Sequence, residues 1–269
     1  MVLADADGAG RLLVGGTDLL VDVRRRPFDP MVLIDLKAAE DLPTPVEVTD
    51  TGVRFGPTAT MSDLATNAQI GTWFPSLVAA SRVVGSVAIR NRASLIGNLC
   101  NASPAADTAP SLLIHGATVT IVGPSGSRSV ALSDFFVGPG KTVCGPDELV
   151  LAVDVPRPPD GHRSAFERLT RRRGVDLATV NAAAAVTAEG AITLGLGAVG
   201  PTPLLTPTSP PVDVADEAAV DQAVEALIAV ASPISDVRAG EPYRRAMTAV
   251  LAGRAVRQAV AAEAEGDSR

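Results

Sequence analysis

Along the first 36 residues the apolar positions change from strand-like to helix-like spacing and back. Residues 11–14 form a short apolar run that predicts a strand, and it leads into the motif Gly-Gly-Thr-Asp at 15–18. Leu19, Leu20 and Val23 then recur at helical spacing, and either Thr17 or Asp18 is predicted as the N-cap. The two glycines are therefore predicted to lie on a strand-to-helix turn. Residues 31–36 predict a second strand, apolar enough to be buried on both faces.

Between residues 46 and 155 the predicted elements are shorter. Apolar residues on both sides of Asp50-Thr51-Gly52 predict a β-hairpin, and two helices are predicted at 60–69 and 74–81. Residues 89–110 show no period and are rich in Asn, Ser, Ala and Pro, which predicts a long loop of the kind that often carries function. Further strands are predicted at 117–122, 128–131 and 148–155.

The Pro-rich stretch 156–161 predicts a boundary between two domains. Beyond it, three antiparallel strands are predicted at 164–170, 178–187 and 191–199, followed by a Pro/Thr-rich linker at 201–211 and amphipathic helices at 216–231 and 241–265. The pattern as a whole is typical of an α+β protein.

Charge and the chain start limit the function classes. The net charge is −7, from 23 basic and 30 acidic residues, which argues against a polyanionic partner such as nucleic acid. No apolar run approaches the ~18 residues that a membrane span needs. The acidic first residues lack the basic region of a signal peptide, so we expect a cytoplasmic protein.

Reactive side chains are scarce. Cys100 and Cys144 lie far apart and cannot supply the four thiolates of an iron–sulfur cluster, and His115 and His162 show no ligand spacing. We therefore predict no metal site and no catalytic side chain in this chain. Any redox chemistry is expected to come from a bound cofactor. Cys100 is expected to be a small buried residue.

The Gly-Gly-Thr-Asp turn is the first candidate binding segment. Gly15 and Gly16 would let backbone amides approach a phosphate closely, and the helix that follows would favour an anion at its N-terminus. Thr17 adds a hydroxyl donor. The alternative is a tight turn with a helix cap and no ligand. The motif is not GxGxxG, so a Rossmann site has no support.

The second candidate segment runs from Arg90 to Asp107. Ser94, Asn98 and Ser103 offer hydrogen-bonding side chains, and Gly97 permits another close backbone approach. The carboxylate of Asp107 suits the hydroxyls of a ribose. The alternative is a long loop that folds on its own Asn and Ser side chains.

Together the two segments resemble the flavoprotein (medium) subunit of the molybdenum hydroxylase family, which includes xanthine and carbon monoxide dehydrogenases. The family's (A/V)GGTDL segment is matched by residues 14–19, and its RNRAT(I/L)GGNL…ASPAAD segment by residues 90–107. In the second domain, residues 166–168, 171–173 and 176–178 look like the family's YEK…RR…D-A block. Residues 236–239 and 243–245 resemble its DxRA…YRR block.

The resemblance implies two domains and an FAD site between them. A PCMH/vanillyl-alcohol-oxidase-type FAD-binding domain would cover residues 1–157, with subdomains at about 1–50 and 51–157. A C-terminal domain like that of the carbon monoxide dehydrogenase flavoprotein, a three-stranded antiparallel sheet plus helices, would cover 162–265. The pyrophosphate would meet the two glycine segments, and the isoalloxazine would lie near the C-terminal domain. By position, the residues expected to contact FAD are Leu12, Leu13, Val14, Gly15, Gly16, Thr17, Asp18, Leu19, Ser94, Gly97, Asn98, Ser103, Asp107 and Leu149.

Two departures from the family pattern bear on FAD affinity. The chain has Ile96-Gly97 where the family usually has two glycines, and ten residues precede Arg11 where the family has a further strand and helix. We expect both departures to weaken FAD binding.

The resemblance implies electron transfer as the function. Electrons from a molybdopterin-binding large subunit would pass through [2Fe–2S] clusters on a small subunit to FAD on this chain, and then to NAD, a quinone or O₂. The alternatives are a self-contained PCMH-type FAD oxidoreductase and a flavin-free scaffold subunit of the same complex.

Overall fold

The computed structural model describes residues 2–6, 8–25 and 31–266. In the N-terminal domain the helices are α1 (Val2–Asp5), α2 (Leu19–Arg25), α3 (Met61–Thr66), α4 (Ala68–Trp73), α5 (Pro75–Val83), α6 (Val87–Arg90), α7 (Leu95–Cys100), α8 (Thr108–Ile114) and α9 (Leu132–Phe135). Its strands are β1 (Gly10–Leu13), β2 (Val32–Asp35), β3 (Val46–Thr49), β4 (Gly52–Phe55), β5 (Thr118–Gly123), β6 (Gly126–Ala131), β7 (Phe136–Gly138), β8 (Lys141–Thr142) and β9 (Leu149–Pro156).

The first strands form a small sheet of their own. β1 and β2 pair in parallel, with Gly10 opposite Val32, and α2 lies between them in the chain. The expectation that β2 is buried on both faces was wrong, because Val32 and Leu33 are 46% and 41% exposed. This sheet has two strands and is separate from the larger sheet, and α2 buries none of its residues.

A five-stranded antiparallel sheet forms the centre of the N-terminal domain, in the order β3-β4-β9-β5-β6. Its apolar face packs with α3, α4, α5, α7 and α8 around buried side chains such as Phe55, Leu64 and Leu99. The predicted hairpin is confirmed as β3–β4. Since β3 begins at Val46, this sheet starts before the expected subdomain boundary near residue 50.

About half of the segment 89–110, predicted as a loop, is helical. It contains the end of α6, all of α7 and the start of α8. These helices have four to seven residues, too few to show a helical period in the sequence. Local caps start two of them: the hydroxyl of Ser86 accepts from the amide of Ile89 at 3.3 Å, and that of Ser94 from the amide of Gly97 at 3.1 Å.

The C-terminal domain is one antiparallel sheet covered by two helices. Its three predicted strands are present, but the sheet has a fourth strand, so the expected three-stranded sheet needs correction. The extra strand lies in the predicted linker, where the hydroxyls of Thr206 and Ser209 accept from the amides of Leu194 and Ile192. These hydroxyls continue the pairing past the prolines. The elements are β10 (Arg163–Leu169), β11 (Val180–Val186), β12 (Ile192–Gly197), β13 (Leu204–Leu205), α10 (Glu217–Ile228) and α11 (Glu241–Gly266).

Strand β11 is buried on both faces, and each face meets a different part of the molecule. Val180, Ala182, Ala184 and Val186 pack in the core with α10 and α11. Ala183 and Ala185 face the N-terminal domain. On the neighbouring β12, a Cβ atom at Gly195 would collide with the carbonyl oxygen of Pro110. Small residues on this face therefore let the two domains dock at close range.

No helix within the described ranges is both long and apolar enough to span a bilayer.

Candidate cofactor site

A cleft of about 820 Å³ lies between the two domains. Its walls are the β1–α2 turn, α7 with the loop to Asp107, residues 142–150, and residues 172–177 of the C-terminal domain. The predicted FAD contacts all line this cleft except Leu13, so segments about 80 residues apart in the chain meet in one place. The volume lies within the roughly 300–1,000 Å³ that is usual for small-molecule sites.

The glycine turn has the geometry of an anion cradle. Gly16 has φ +72°, a left-handed conformation that favours glycine. The amides of Gly15 to Leu19 donate no hydrogen bond to any other residue in the described part of the chain. Consecutive unpaired amides at the start of a helix are suited to bind phosphate oxygens.

Gly15 joins the turn to the second segment. A Cβ atom at this position would collide with the carbonyl oxygen of Arg92 and lie 3.1 Å from the Cα atom of Ala93. The turn therefore packs directly on the backbone that leads into α7. This contact explains a glycine at 15 by close approach, whereas Gly16 is explained by its left-handed backbone.

Lys37 holds the glycine turn in place through a hydrogen bond to the residue before it. This role was not predicted from the sequence. Its ammonium group donates to the carbonyl oxygen of Val14 at 2.8 Å and pairs with Asp35. The hydrogen bond from Lys37 lowers the pKa of the Asp35 carboxyl. Asp35 also accepts from the amide of Lys37 and so caps a 3-10 turn at Leu36–Ala38. No sequence signal connects position 37 with position 14, because the contact exists only once β1 and β2 are paired.

In the second segment the predicted side chains are partly used within the protein. Ser94 caps α7, Asn98 accepts from the hydroxyl of Thr108 at 2.7 Å, and Ser103 accepts from the amide of Ala105 at 3.2 Å. The alternative of a loop folded on its own side chains thus has support at these positions. Gly97 is exposed on the cleft wall. The side-chain amide nitrogen of Asn98 has no partner in the described structure, so it remains free for a ligand.

Ile96 does not narrow the cleft. It lies in α7 with its side chain in the core, 5% exposed, and its backbone is not left-handed. The Ile96 side chain therefore takes no space from the cleft, and its effect on FAD affinity stays a prediction. Ala102, two residues beyond α7, carries positive φ instead, at +46°.

Asp107 lies at the cleft but is already bonded on both oxygens. Arg168 lies 3.0 Å from one oxygen, and the side-chain amide of Asn181 donates to the other at 2.8 Å. Burial raises the pKa of Asp107 to about 6, although Arg168 and Asn181 act to lower it. A carboxylate accepts up to about four hydrogen bonds, so the predicted contact with a ribose hydroxyl stays open. Asn181 could have been noticed as the one polar residue of an otherwise apolar strand.

The remaining wall is made by residues 142–150 and by the loop 172–177. Leu149 begins β9 and is half-buried beside the cleft. Cys100 was expected to be buried, but it is exposed on the cleft wall because α7 ends there. Within the described ranges, no cluster of His, Cys, Asp or Glu could hold a metal ion.

The carboxylates near the cleft are mostly tied to arginines. Glu148 pairs with Arg128 at 2.6 Å, and Asp176 pairs with Arg171 at 3.0 Å. The hydrogen bond from the amide of Gly145 and the pairing with Arg128 lower the pKa of Glu148, and Arg171 lowers that of Asp176. Both groups therefore stay ionised and paired at neutral pH. The walls of this cleft are suited to bind and orient a ligand, and poorly suited to proton transfer.

Comparison with known proteins identifies the two domains. Residues 2–158 match the family described as "FAD binding domain in molybdopterin dehydrogenase", and residues 164–259 match "CO dehydrogenase flavoprotein C-terminal domain". The chain belongs to this family.

Relatives and solved structures match this chain along nearly its whole length. The carbon monoxide dehydrogenase medium chain of Afipia carboxidovorans is 33% identical over 93% of this chain and 89% of its own length. The xanthine dehydrogenase FAD-binding subunit of Escherichia coli is 29% identical over 97% and 92%. The structure of carbon monoxide dehydrogenase from Hydrogenophaga pseudoflava has a TM-score of 0.88 at 27% identity, covering 97% of this chain and 92% of that one.

The family assignment and the cleft are consistent with one FAD-binding site. The chain is an oxidoreductase subunit of the molybdenum hydroxylase family, and its cofactor is FAD. The residues present fit this cofactor: unpaired amides stand where a pyrophosphate needs donors, and the cleft extends from them to the C-terminal domain. Which side chains touch the cofactor stays a prediction.

Proposed function

We propose that this chain is the electron-transfer subunit of a three-part molybdenum hydroxylase. It would receive electrons from [2Fe–2S] clusters on a small partner subunit and deliver them to NAD, a quinone or O₂. The substrate would be hydroxylated at the molybdopterin site of a large partner subunit. FAD suits the position because it accepts electrons singly and releases them as a pair. We also propose a cytoplasmic location, which stays a prediction from the sequence.

The observation that carries this proposal is a cleft rich in unused backbone donors and poor in proton-transfer groups. The amides of Gly15 to Leu19 would hold the pyrophosphate, and Lys37 would keep the turn in place through Val14. Gly97 and the free amide nitrogen of Asn98 would bind from the part of the wall that α7 forms. The residues 172–177 would cover the part of the cleft nearest the C-terminal domain.

The two alternatives have less support. A self-contained oxidoreductase needs a base close to its substrate. Of the described carboxylates on the cleft wall, Asp22, Asp107, Glu148 and Asp176 are each paired with an arginine, and Asp18 lies in the glycine turn. A flavin-free scaffold would not need the left-handed Gly16 beside a row of unpaired amides. The buried side chain of Ile96 also takes no space from the cleft.

The test is reconstitution with the partner subunits. CO, xanthine, nicotinate and glyceraldehyde, which the names of the relatives suggest, serve as trial substrates. With the isolated chain we expect no substrate-dependent reduction of a dye, and with all three subunits we expect turnover of at least one trial substrate. Turnover by the isolated chain would contradict the proposal.

A variant complex tests the position of this chain in the electron route. When the complex contains Gly15→Ala and unbound FAD has been removed, substrate should still bleach the [2Fe–2S] absorbance, while reduction of the terminal acceptor falls in proportion to the FAD content. Unchanged acceptor reduction in a complex shown to lack FAD would contradict the proposed route.

A further inference from the structure

The C-terminal domain contacts the FAD-binding loop through two polar side chains. Arg168 on β10 and Asn181 on β11 both reach Asp107, the last residue of the loop that follows α7. The Asn181 amide also lies 3.3 Å from the carbonyl oxygen of Ala106. Close by, the amide of Ala198 donates to the carbonyl oxygen of Pro104 at 2.6 Å. The C-terminal domain thus holds this loop at several successive positions.

The Arg168 side chain contacts three segments that surround the cleft. Besides pairing with Asp107, its guanidinium donates to the carbonyl oxygen of Val83 at 2.7 Å, at the end of α5. It also donates to the carbonyl oxygen of Asp176, in the loop that forms the cleft wall on the C-terminal side. The planar guanidinium makes these contacts from two separate nitrogens, whereas a lysine would have to make them all from one.

The setting of these residues is buried. The Arg168 and Asp107 side chains are 9% and 10% exposed. Asn181 is fully buried, and a Cβ atom at Gly197 would collide with its side-chain oxygen. A buried carboxylate without a charge partner is strongly disfavoured. The ionised form of Asp107 at neutral pH therefore depends on Arg168.

We propose that Arg168, assisted by Asn181, is a positioning residue for the FAD site that the C-terminal domain supplies. It holds the loop ending at Asp107 and the wall at 172–177 in the arrangement that forms the cleft, so the site is complete only when the two domains are docked. This inference rests on the proposed function in one respect, that the cleft binds FAD.

The experiment compares Arg168→Met with a matched control, Arg54→Met. The Arg54 side chain pairs with Asp154 at 2.7 Å between β4 and β9, and neither residue lines the FAD cleft. FAD dissociation constants are measured by quenching of flavin fluorescence at pH 8 and pH 5. For Arg168→Met we expect binding about ten- to a hundredfold weaker than wild type at pH 8, as for loss of a charge-assisted contact. For Arg54→Met we expect binding within about twofold of wild type.

The pH profile distinguishes a charge-positioning role from simple loss of packing. At pH 5 Asp107 is protonated, because burial raises its pKa to about 6, so the loss in Arg168→Met should be smaller than at pH 8. In the Asp107→Asn background, where this carboxyl is absent, Arg168→Met should weaken FAD binding by the same factor at both pH values. An equal loss at both pH values, or a loss no larger than that of Arg54→Met, would overturn the proposal.

Two further measurements apply if the variant does not fold or if wild type does not bind FAD. If Arg168→Met fails to fold by circular dichroism, Arg168→Lys is used; it keeps the charge but cannot reach all three partners, so we expect weaker binding with little pH dependence. If wild type binds no FAD, the proposed function fails. The positioning role is then tested by amide hydrogen exchange, which should be faster in residues 102–107 and 172–177 of the Arg168 variant at pH 8 than in wild type. Unchanged exchange would overturn it.

Discussion

The two halves of the FAD cleft are built in opposite ways. The outer half, residues 12–19, lies on a two-stranded sheet, and the helix that follows it, α2, buries no residue. The inner half, residues 94–107, contains α7, which places Leu95, Ile96 and Leu99 in the core of the domain. In the outer half the amides of residues 15–19 are unpaired within the described structure, whereas the inner half uses Ser94, Asn98, Ser103 and Asp107 in bonds within the protein.

This difference indicates that the two halves of the cleft have different roles. The outer half offers donors to a ligand and depends on few tertiary contacts, so a ligand should order it strongly. The inner half is a rigid wall whose shape is fixed by the core and by the C-terminal domain. Substitutions in the inner half should therefore change the stability of the protein, and substitutions in the outer half should change cofactor binding.

The largest effect is expected from Leu99→Ala. Leu99 is 1% exposed in the core, and removing such a side chain usually costs about 2–5 kcal/mol of unfolding free energy. Leu20→Ala, in a leucine that is 40% exposed on α2, should cost less than about 0.5 kcal/mol. Urea unfolding of both variants measures the contrast. Similar costs for the two would show that the outer half is supported as firmly as the inner one.

The next effect is expected from Gly15→Ala. The new Cβ atom would collide with the carbonyl oxygen of Arg92, so the outer half must move away from the inner one. We expect FAD affinity to fall at least about tenfold, the equivalent of roughly 1.4 kcal/mol, with little change in unfolding. Gly71→Ala on α4 is the control, because a Cβ atom there has no neighbour within 4 Å. Full FAD affinity in Gly15→Ala would show that cofactor binding does not depend on the close approach of Gly15 to Arg92.

A smaller, pH-dependent effect is expected from His115, which ends α8 behind the inner half. Its ring is buried against Phe74 and 3.1 Å from the hydroxyl of Ser76, and burial lowers its pKa to about 3. Since the ordinary value is about 6.5, the unfolded chain takes up a proton below that pH and the folded chain does not. Stability should therefore fall as pH drops from 6.5 towards 4, with His115 contributing at most about 1.4 kcal/mol per pH unit.

Unfolding of His115→Gln over this pH range checks that contribution. The unfolding free energy of the variant should fall less steeply with decreasing pH than that of wild type. The difference in slope should approach that of one proton, about 1.4 kcal/mol per pH unit. His162→Gln is the comparison, because that ring lies 5.2 Å away and burial also lowers its pKa, but it is only partly buried. The His162 change should alter the slope less. An unchanged slope in His115→Gln would contradict a buried neutral ring.

The sequence predicts the parts of the site that depend on neighbouring residues. Gly15 and Gly16 follow an apolar run and precede a helical pattern, and the turn lies where that pattern indicated. The longer strands of both domains are predicted for the same reason, since alternation and turn residues are local signals, whereas the two- and three-residue strands β7, β8 and β13 are not. Helices as short as α6 and α7 were missed because four to six residues do not complete two helical turns.

The contacts that the sequence does not predict are those formed by the tertiary fold. Lys37 meets Val14 only through the parallel pairing of β1 and β2, and the exposure of β2 depends on which elements cover it. Arg168 and Asn181 meet Asp107 only after the domains dock, although a single Asn in the strand Val-Asn-Ala-Ala-Ala-Ala-Val was a usable signal. The residues linking the domains are therefore those for which a structure was required.

Amide hydrogen exchange with and without FAD tests most directly the claim that the outer half holds the cofactor. The exchange rate of the peptide covering residues 12–20 is measured beside that of the hairpin at 46–55, which lies outside the cleft. We predict strong slowing of exchange in residues 15–19 when FAD binds, because their unpaired amides gain phosphate partners, and no change in the hairpin. Equal exchange of residues 15–19 in the presence and absence of saturating FAD would contradict the account.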